Sequence, residues 1–142
     1  MLLIVGDGDL EIALHNYAKQ LNIESSVRWY KHVTDMDAIY QAIDVLLFPS
    51  LYEGFPMTLV EAQTAGVMCY VSETITDDVL LTNRIVKLPI NQGVEPWVEE
   101  ISNMQMSSGN REIEVESVKK QGYDIRSTLD VLEKIYMGGH GD

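Results

Sequence analysis

Between Asp44 and Gly66 the chain changes its periodicity, and this change restricts its fold more than any other feature. Asp44-Val45-Leu46-Leu47-Phe48 is a short apolar run, β-branched and aromatic, of the length of a buried strand. After the loop that begins at Pro49-Ser50, the residues Leu59, Val60, Ala62, Gln63 and Ala65 read as a helix. Pro56 suits the first helical turn, where its missing N–H and fixed φ cost nothing, and Gly66 suits the position just past the end. Strand, loop and helix therefore meet within one short stretch, and two carboxylates frame it: Glu53 in the loop and Glu61 in the second helical turn.

Such a turn can hold an anion. N–H groups left free at Met57 and Thr58, together with the positive end of the helix dipole, favour a phosphate or a polarised sugar oxygen. Carboxylates cannot hold phosphate, so Glu53 and Glu61 suit ligand hydroxyls, as carboxylates do at the ribose of nucleotide cofactors. A sugar nucleotide offers both kinds of group.

The flanking chain repeats the alternation. Leu2 to Val5 is an apolar run stopped by Gly6-Asp7-Gly8-Asp9, and Leu10, Ala13, Leu14, Tyr17, Ala18 and Leu21 follow at helical spacing. The turn reads as a plain tight turn or as a phosphate cradle; its two acids and incomplete glycine pattern weigh against the cradle. Val27 to Tyr30 is a second strand, and Thr34, with Asp37 three residues on, resembles a cap for a helix carrying Met36, Ile39, Tyr40 and Ile43. Val67 to Val71 and Ile85 to Leu88 complete the strands. Thr76 is placed to cap a short helix whose first turn holds Asp77 and Asp78; a metal reading of that pair lacks a His or a third acid. Beyond Pro89 the texture is helical: one helix from Pro96, a break at Ser107-Ser108-Gly109-Asn110, then Arg111 to Gln121 and Ile125 to Tyr136, with a frayed tail from Gly138. The whole predicts an α/β domain over residues 1–142, a Rossmann-like parallel sheet flanked by helices with extra C-terminal helices. Ligands of such sheets sit at the carboxyl ends of the strands, where the Gly6 turn, the segment Tyr30 to Val33, the loop Ser50 to Pro56 and Ser72 all fall.

Composition narrows the partners. A net charge of −12 argues against a nucleic-acid or anionic membrane surface. The single cysteine, Cys69, lies in an apolar run and excludes an intrachain disulfide, which fits a reducing, cytoplasmic setting. No run approaches the roughly 20 apolar residues of a membrane span.

The stretch Glu53-Gly-Phe-Pro-Met-Thr-Leu-Val-Glu61 resembles the E-x7-E signature of retaining glycosyltransferases of the GT-B fold, particularly glycosyltransferase family 4. Gly6-Asp7-Gly8, Val27-Arg28-Trp29, Ala42 to Ser50, Glu61 to Gly66 and Val71-Ser72-Glu73-Thr74-Ile75 follow the order of motifs in that family's second domain, over roughly the first two-thirds of the chain. The resemblance implies a donor-binding half that takes a UDP- or GDP-sugar as substrate, with no separate cofactor and no metal. It assigns the transferred sugar's hydroxyls to Glu53 and the ribose to Glu61. The N–H groups of Phe55, Met57 and Thr58 face the sugar and diphosphate, and Gly54 permits close backbone approach. Tyr30, Lys31, His32 and Val33 edge the nucleobase, largely through backbone groups.

Retention in this family is described as front-face attack with the leaving phosphate taking the acceptor's proton, so no catalytic side chain is expected here. The resemblance also implies an N-terminal Rossmann-like domain carrying the acceptor, and any membrane association, and a basic pair for the diphosphate that no segment before Leu2 matches. The isolated chain is therefore expected to fold without catalysing transfer. Two other readings stand beside this one: an epimerase of the same fold acting on sugar nucleotides, and a receiver-like binding module. The second needs an Asp at the carboxyl end of a central strand, where this chain has Phe48-Pro49-Ser50.

Overall fold

A computed structural model describes residues 1–104 and 111–138. The expected break at Ser107 to Asn110 and the tail from Gly139 lie outside the described residues. The chain divides into two compact units, Met1–Met36 and Asp37–Asp142.

In the first unit, β1 (Leu2–Val5) pairs in parallel with β2 (Val27–Tyr30), with Leu2 opposite Val27 and Val5 opposite Tyr30. The connection between them carries α1 (Glu11–Gln20) and a single 3-10 turn at Glu24–Ser26. Gly6 ends β1 with φ of 138°, a conformation that favours glycine, and its N–H bonds to Tyr30 O at 2.8 Å. The apolar stripe read along α1 is not a buried face within this unit: Ala18 is buried, but Leu10, Leu14, Tyr17 and Leu21 are exposed. Two strands of four residues offer too little surface to cover it.

The second unit holds a three-stranded parallel sheet in the order β3 (Val45–Phe48), β4 (Met68–Ser72), β5 (Ile85–Leu88), so that Leu47, Tyr70 and Val86 lie side by side. Strand pairing is thus divided between two parallel sheets, where the alternation of strands and helices suggested one. Central β4 is the most buried strand, as expected for a parallel strand paired on both edges: Cys69 and Val71 are fully inaccessible. Burial pushes the Cys69 thiol up to about 12.

α2 (Met36–Ala42) precedes β3, and α3 (Met57–Thr64) joins β3 to β4. Because α2 starts at Met36, the residue flanking it is Asp35, one beyond the Thr34 at which the sequence placed the cap. α3 ends as its sequence predicts. Gly66, at φ of 74°, donates to Gln63 O at 2.9 Å, and Val67 N–H reaches back to Ala62 O at 2.9 Å, the paired bonds of a Schellman motif. Thr76 caps the 3-10 turn Asp77–Val79 by accepting from Asp78 N–H at 3.3 Å.

The side of α3 away from solvent is nearly all core: Leu59 and Ala62 are fully buried, and so is Gln63. The Gln63 amide donates to Leu59 O (3.0 Å) and Val79 O (2.8 Å) and accepts from Leu81 N–H (3.2 Å), Thr82 N–H (3.1 Å) and the Thr82 hydroxyl (3.1 Å). One side chain thereby ties α3 to the segment leading into β5. α4 (Glu95–Asn103) is anchored by Trp97 Nε1, which donates to Pro89 O at 2.9 Å. α5 (Arg111–Lys120) packs on α3 through Val60, Leu81 and Val118, and Glu114 accepts from Arg84 Nε at 2.8 Å with both side chains largely buried. Gln121, just beyond α5, donates to Leu81 O at 2.6 Å. α6 (Ile125–Gly138) closes the described chain.

Candidate functional site

The loop from Pro49 to Pro56 leaves the carboxyl end of β3, and the turn after β4 meets it there: the Thr74 hydroxyl donates to Ser50 O at 3.2 Å. Pro56 takes an extended conformation, φ −78° and ψ 96°, and stands as the flanking residue of α3, one position before the first turn in which the sequence placed it. Its ring prevents it from donating, and its carbonyl accepts from Leu59 N–H at 3.0 Å. Among the described residues, neither Met57 nor Thr58 N–H makes a hydrogen bond to backbone or side chain. The start of α3 therefore presents two open donors at the positive end of its dipole.

Glu61 projects from the second turn of α3 and is exposed, yet it is anchored: Tyr40, on α2, donates its phenol to Glu61 Oε2 at 2.8 Å. Tyr40 itself is 3 % exposed. Burial, then the hydrogen bond to Glu61, holds the phenol well above its ordinary range, so it remains a donor, with Thr58 opposing the shift in part.

Glu53 is exposed in the loop and has a lighter support, the Ser50 hydroxyl donating to its Oε1 at 2.8 Å. Behind Ser50 stands a short relay. The Thr74 hydroxyl reaches Ser50 O at 3.2 Å and shares a 2.8 Å hydroxyl–hydroxyl contact with Ser72 Oγ. Gly54 has an ordinary negative or extended φ, and a Cβ built there meets nothing within 4 Å. Phe55 stacks on Tyr123, ring centroids 5.8 Å apart and planes 13° from parallel, tying the loop to the connection between α5 and α6. Met57 is half exposed.

The remaining candidates belong to the first unit. Tyr30 ends β2 and is exposed. Lys31 pairs with Glu11 at 2.9 Å, which raises its pKa, and His32 Nε2 lies 3.8 Å from Asp7 Oδ2. Val33 is half-buried. The side chains of Lys31 and His32 are thus engaged with the acids of the first βα turn. His15 and Trp29 stack at 4.1 Å in the same unit. Tyr40, Ser50, Thr74 and Tyr123 were not singled out for any site role in the sequence. Tyr40, Thr74 and Tyr123 act across gaps in the chain that no local spacing reveals, and Tyr40 matched the apolar face of α2 equally well; Ser50 lies only three residues from the Glu53 it supports. No cluster of His, Cys, Asp and Glu that could hold a metal occurs among the described residues.

Parallel sheets flanked by helices, with a helix start and two carboxylates after the carboxyl end of β3, place the chain in the α/β class. Residues 1–86 match the family of glycosyl transferases group 1, and the chain belongs to that family. It is 31 % identical over 137 residues to a putative glycosyltransferase, EpsF, of Bacillus subtilis, covering 95 % of this chain and 36 % of that protein. It is 36 % identical over 147 residues to an Escherichia coli UDP-Gal:alpha-D-GlcNAc-diphosphoundecaprenol alpha-1,3-galactosyltransferase, covering 96 % and 36 %. Among solved structures, it shares its fold with WaaG, a glycosyltransferase involved in lipopolysaccharide biosynthesis (TM-score 0.72, 21 % identity, 95 % of this chain and 37 % of that one). The pneumococcal O-GlcNAc transferase GtfA, solved with UDP and GlcNAc, is similarly close (TM-score 0.71, 15 % identity, 99 % and 29 %). The chain spans about a third of the length of the curated relatives, 36 % in both of the cases above. No helix among the described residues is long and apolar enough to cross a membrane.

Proposed function

We propose that this chain is the donor-binding part of a retaining glycosyltransferase of family 4, moving a hexose from a UDP- or GDP-sugar to a glycan or lipid-linked acceptor. The observation that carries the reading is the turn itself: two open N–H groups at the start of α3 lie between Glu53 and an anchored Glu61. A diphosphate suits the amides and the dipole; hydroxyls at either end of a sugar nucleotide suit the carboxylates. Gly54 supports it, because nothing among the described residues requires a glycine there, whereas a ligand lying close to the backbone does. UDP-Gal in the name of the E. coli relative and UDP with GlcNAc in the GtfA structure favour a sugar nucleotide as the donor class.

In this reading Glu53 holds the transferred sugar, Glu61 the ribose, and Tyr30 to Val33 the base. The acceptor is held by a facing domain of the whole enzyme, which works in the cytoplasm, and the isolated chain does not turn over because both substrates must be held in register. Donor affinity of the chain alone is on the order of 0.1–1 mM, about 4–5.5 kcal/mol. Calorimetric titration of UDP, GDP and their sugars against the chain tests this, with Glu61→Gln as control. Weakened binding in that variant is the expected result. No binding of any of them at millimolar concentration overturns the donor-site reading, and turnover by the chain alone overturns the placement of catalysis on two domains.

A further inference from the structure

We propose that Tyr40 is a positioning residue for Glu61, fixing one carboxylate oxygen so that the other is presented to the ribose hydroxyls; this rests on the donor-site reading above. A glutamate on an exposed helical turn samples several rotamers, and a ligand that needs one of them must first suppress the rest. Here that restriction is already built in. The Tyr40 phenol is buried at 3 % exposure and comes from α2, a different element, so its position is set by core packing rather than by the ligand. It donates to Oε2 at 2.8 Å, the ordinary length of a well-made O–H···O hydrogen bond. Thr58, three residues before Glu61 on the same helix, lowers the pKa of the same phenol and so only partly offsets the effect of burial and Glu61. An ionised carboxylate only accepts hydrogen bonds. With Oε2 supplied by protein, Oε1 keeps its lone pairs for a ligand hydroxyl, and the exposure of Glu61 leaves it accessible.

Tyr40→Phe removes the hydroxyl and keeps the ring that fills the core. The test titrates UDP or GDP, whichever the chain binds more tightly, and its 2′,3′-dideoxy analogue, against the chain, Tyr40→Phe, Glu61→Gln and the double variant. We expect Tyr40→Phe to weaken the ribonucleotide about 3- to 10-fold, the scale of immobilising one flexible side chain, and to leave the dideoxy analogue unchanged. In the double variant it adds nothing to Glu61→Gln. Incorporation of 3-fluorotyrosine at position 40, which keeps the donor and the fold, restores full affinity. Equal weakening of both nucleotides, no weakening, or an additive effect in the double variant overturns the positioning role and leaves the donor-site reading intact. A chain in which Glu61→Gln itself leaves ribonucleotide affinity unchanged overturns the ribose reading, and the role of Tyr40 with it.

Discussion

The turn that carries the site has two halves built by different rules. Its helical half is held by buried groups: Leu59, Ala62 and Gln63 are inaccessible, and Glu61 hangs from a phenol that is itself core. Its loop half, Leu51 to Phe55, is exposed throughout, with Glu53 supported by a serine and Phe55 by one aromatic stack. The difference teaches where the chain's own stability constrains the sequence and where it leaves the sequence free. Residues of the helical half answer to packing and hydrogen-bond satisfaction; the loop half contributes little to folding, which under the proposed function leaves it free to fit a donor.

Substitutions break or sharpen this contrast. The largest effect is expected from Gln63→Ala, which strands the Val79 carbonyl and the Leu81 and Thr82 amides in the core; urea denaturation is expected to show a loss of roughly 3–4 kcal/mol. Alkali is expected to act on the core strand that follows the helical half. The Cys69 thiol rises from an ordinary 9.0 to about 12 on burial, so the folded state holds its proton where the unfolded chain releases it. Its contribution is complete below pH 9.0 and is lost as pH climbs through about 12. Urea midpoints between about pH 7 and pH 11 are expected to stay level and then fall, and Cys69→Ala to delay the fall until the raised tyrosines, Tyr40 and Tyr70, begin to contribute.

Tyr40→Phe is expected to cost about 1 kcal/mol in the same measurement, less than Gln63→Ala, because one end of the bond is exposed Glu61. In the loop half, Ser50→Ala and Gly54→Ala are expected to change stability by no more than about 0.5 kcal/mol. Gly54→Ala separates the two halves most directly: its φ and surroundings tolerate a methyl, so unchanged stability with lost nucleotide binding is the expected pair of results.

Much of the helical half was legible in the sequence because its causes are local. The Gly66 stop, the Thr76 cap and the apolar runs of β3 and β4 each follow from a few neighbouring residues. Pro56 illustrates the margin of such reading: a proline just outside the helix and one just inside it satisfy the same constraints, and the structure puts it outside. The stripe along α1 was legible as a helix but not as a buried face, since burial depends on what else is there to cover it. The carboxylates were legible through spacing and resemblance, but their supports were not. Tyr40 lies 21 residues from Glu61, Thr74 lies 24 from Ser50, and Tyr123 comes from the far end of the chain, so folding alone brings them together.

Gln63 has a consequence for how this gene can drift. A single base change in a glutamine codon that replaces the residue yields Glu, Lys, Arg, His, Leu or Pro. Glu has the shape but offers a second acceptor to the Leu59 and Val79 carbonyls where two N–H bonds now stand. Lys and Arg bring a charge and no acceptor for Leu81 and Thr82, His is shorter and rigid, Leu satisfies none of the five partners, and Pro breaks α3. No one-step neighbour reproduces both ends of the amide, so this position is a dead end for gradual substitution, whereas the exposed loop a few residues upstream is open to it.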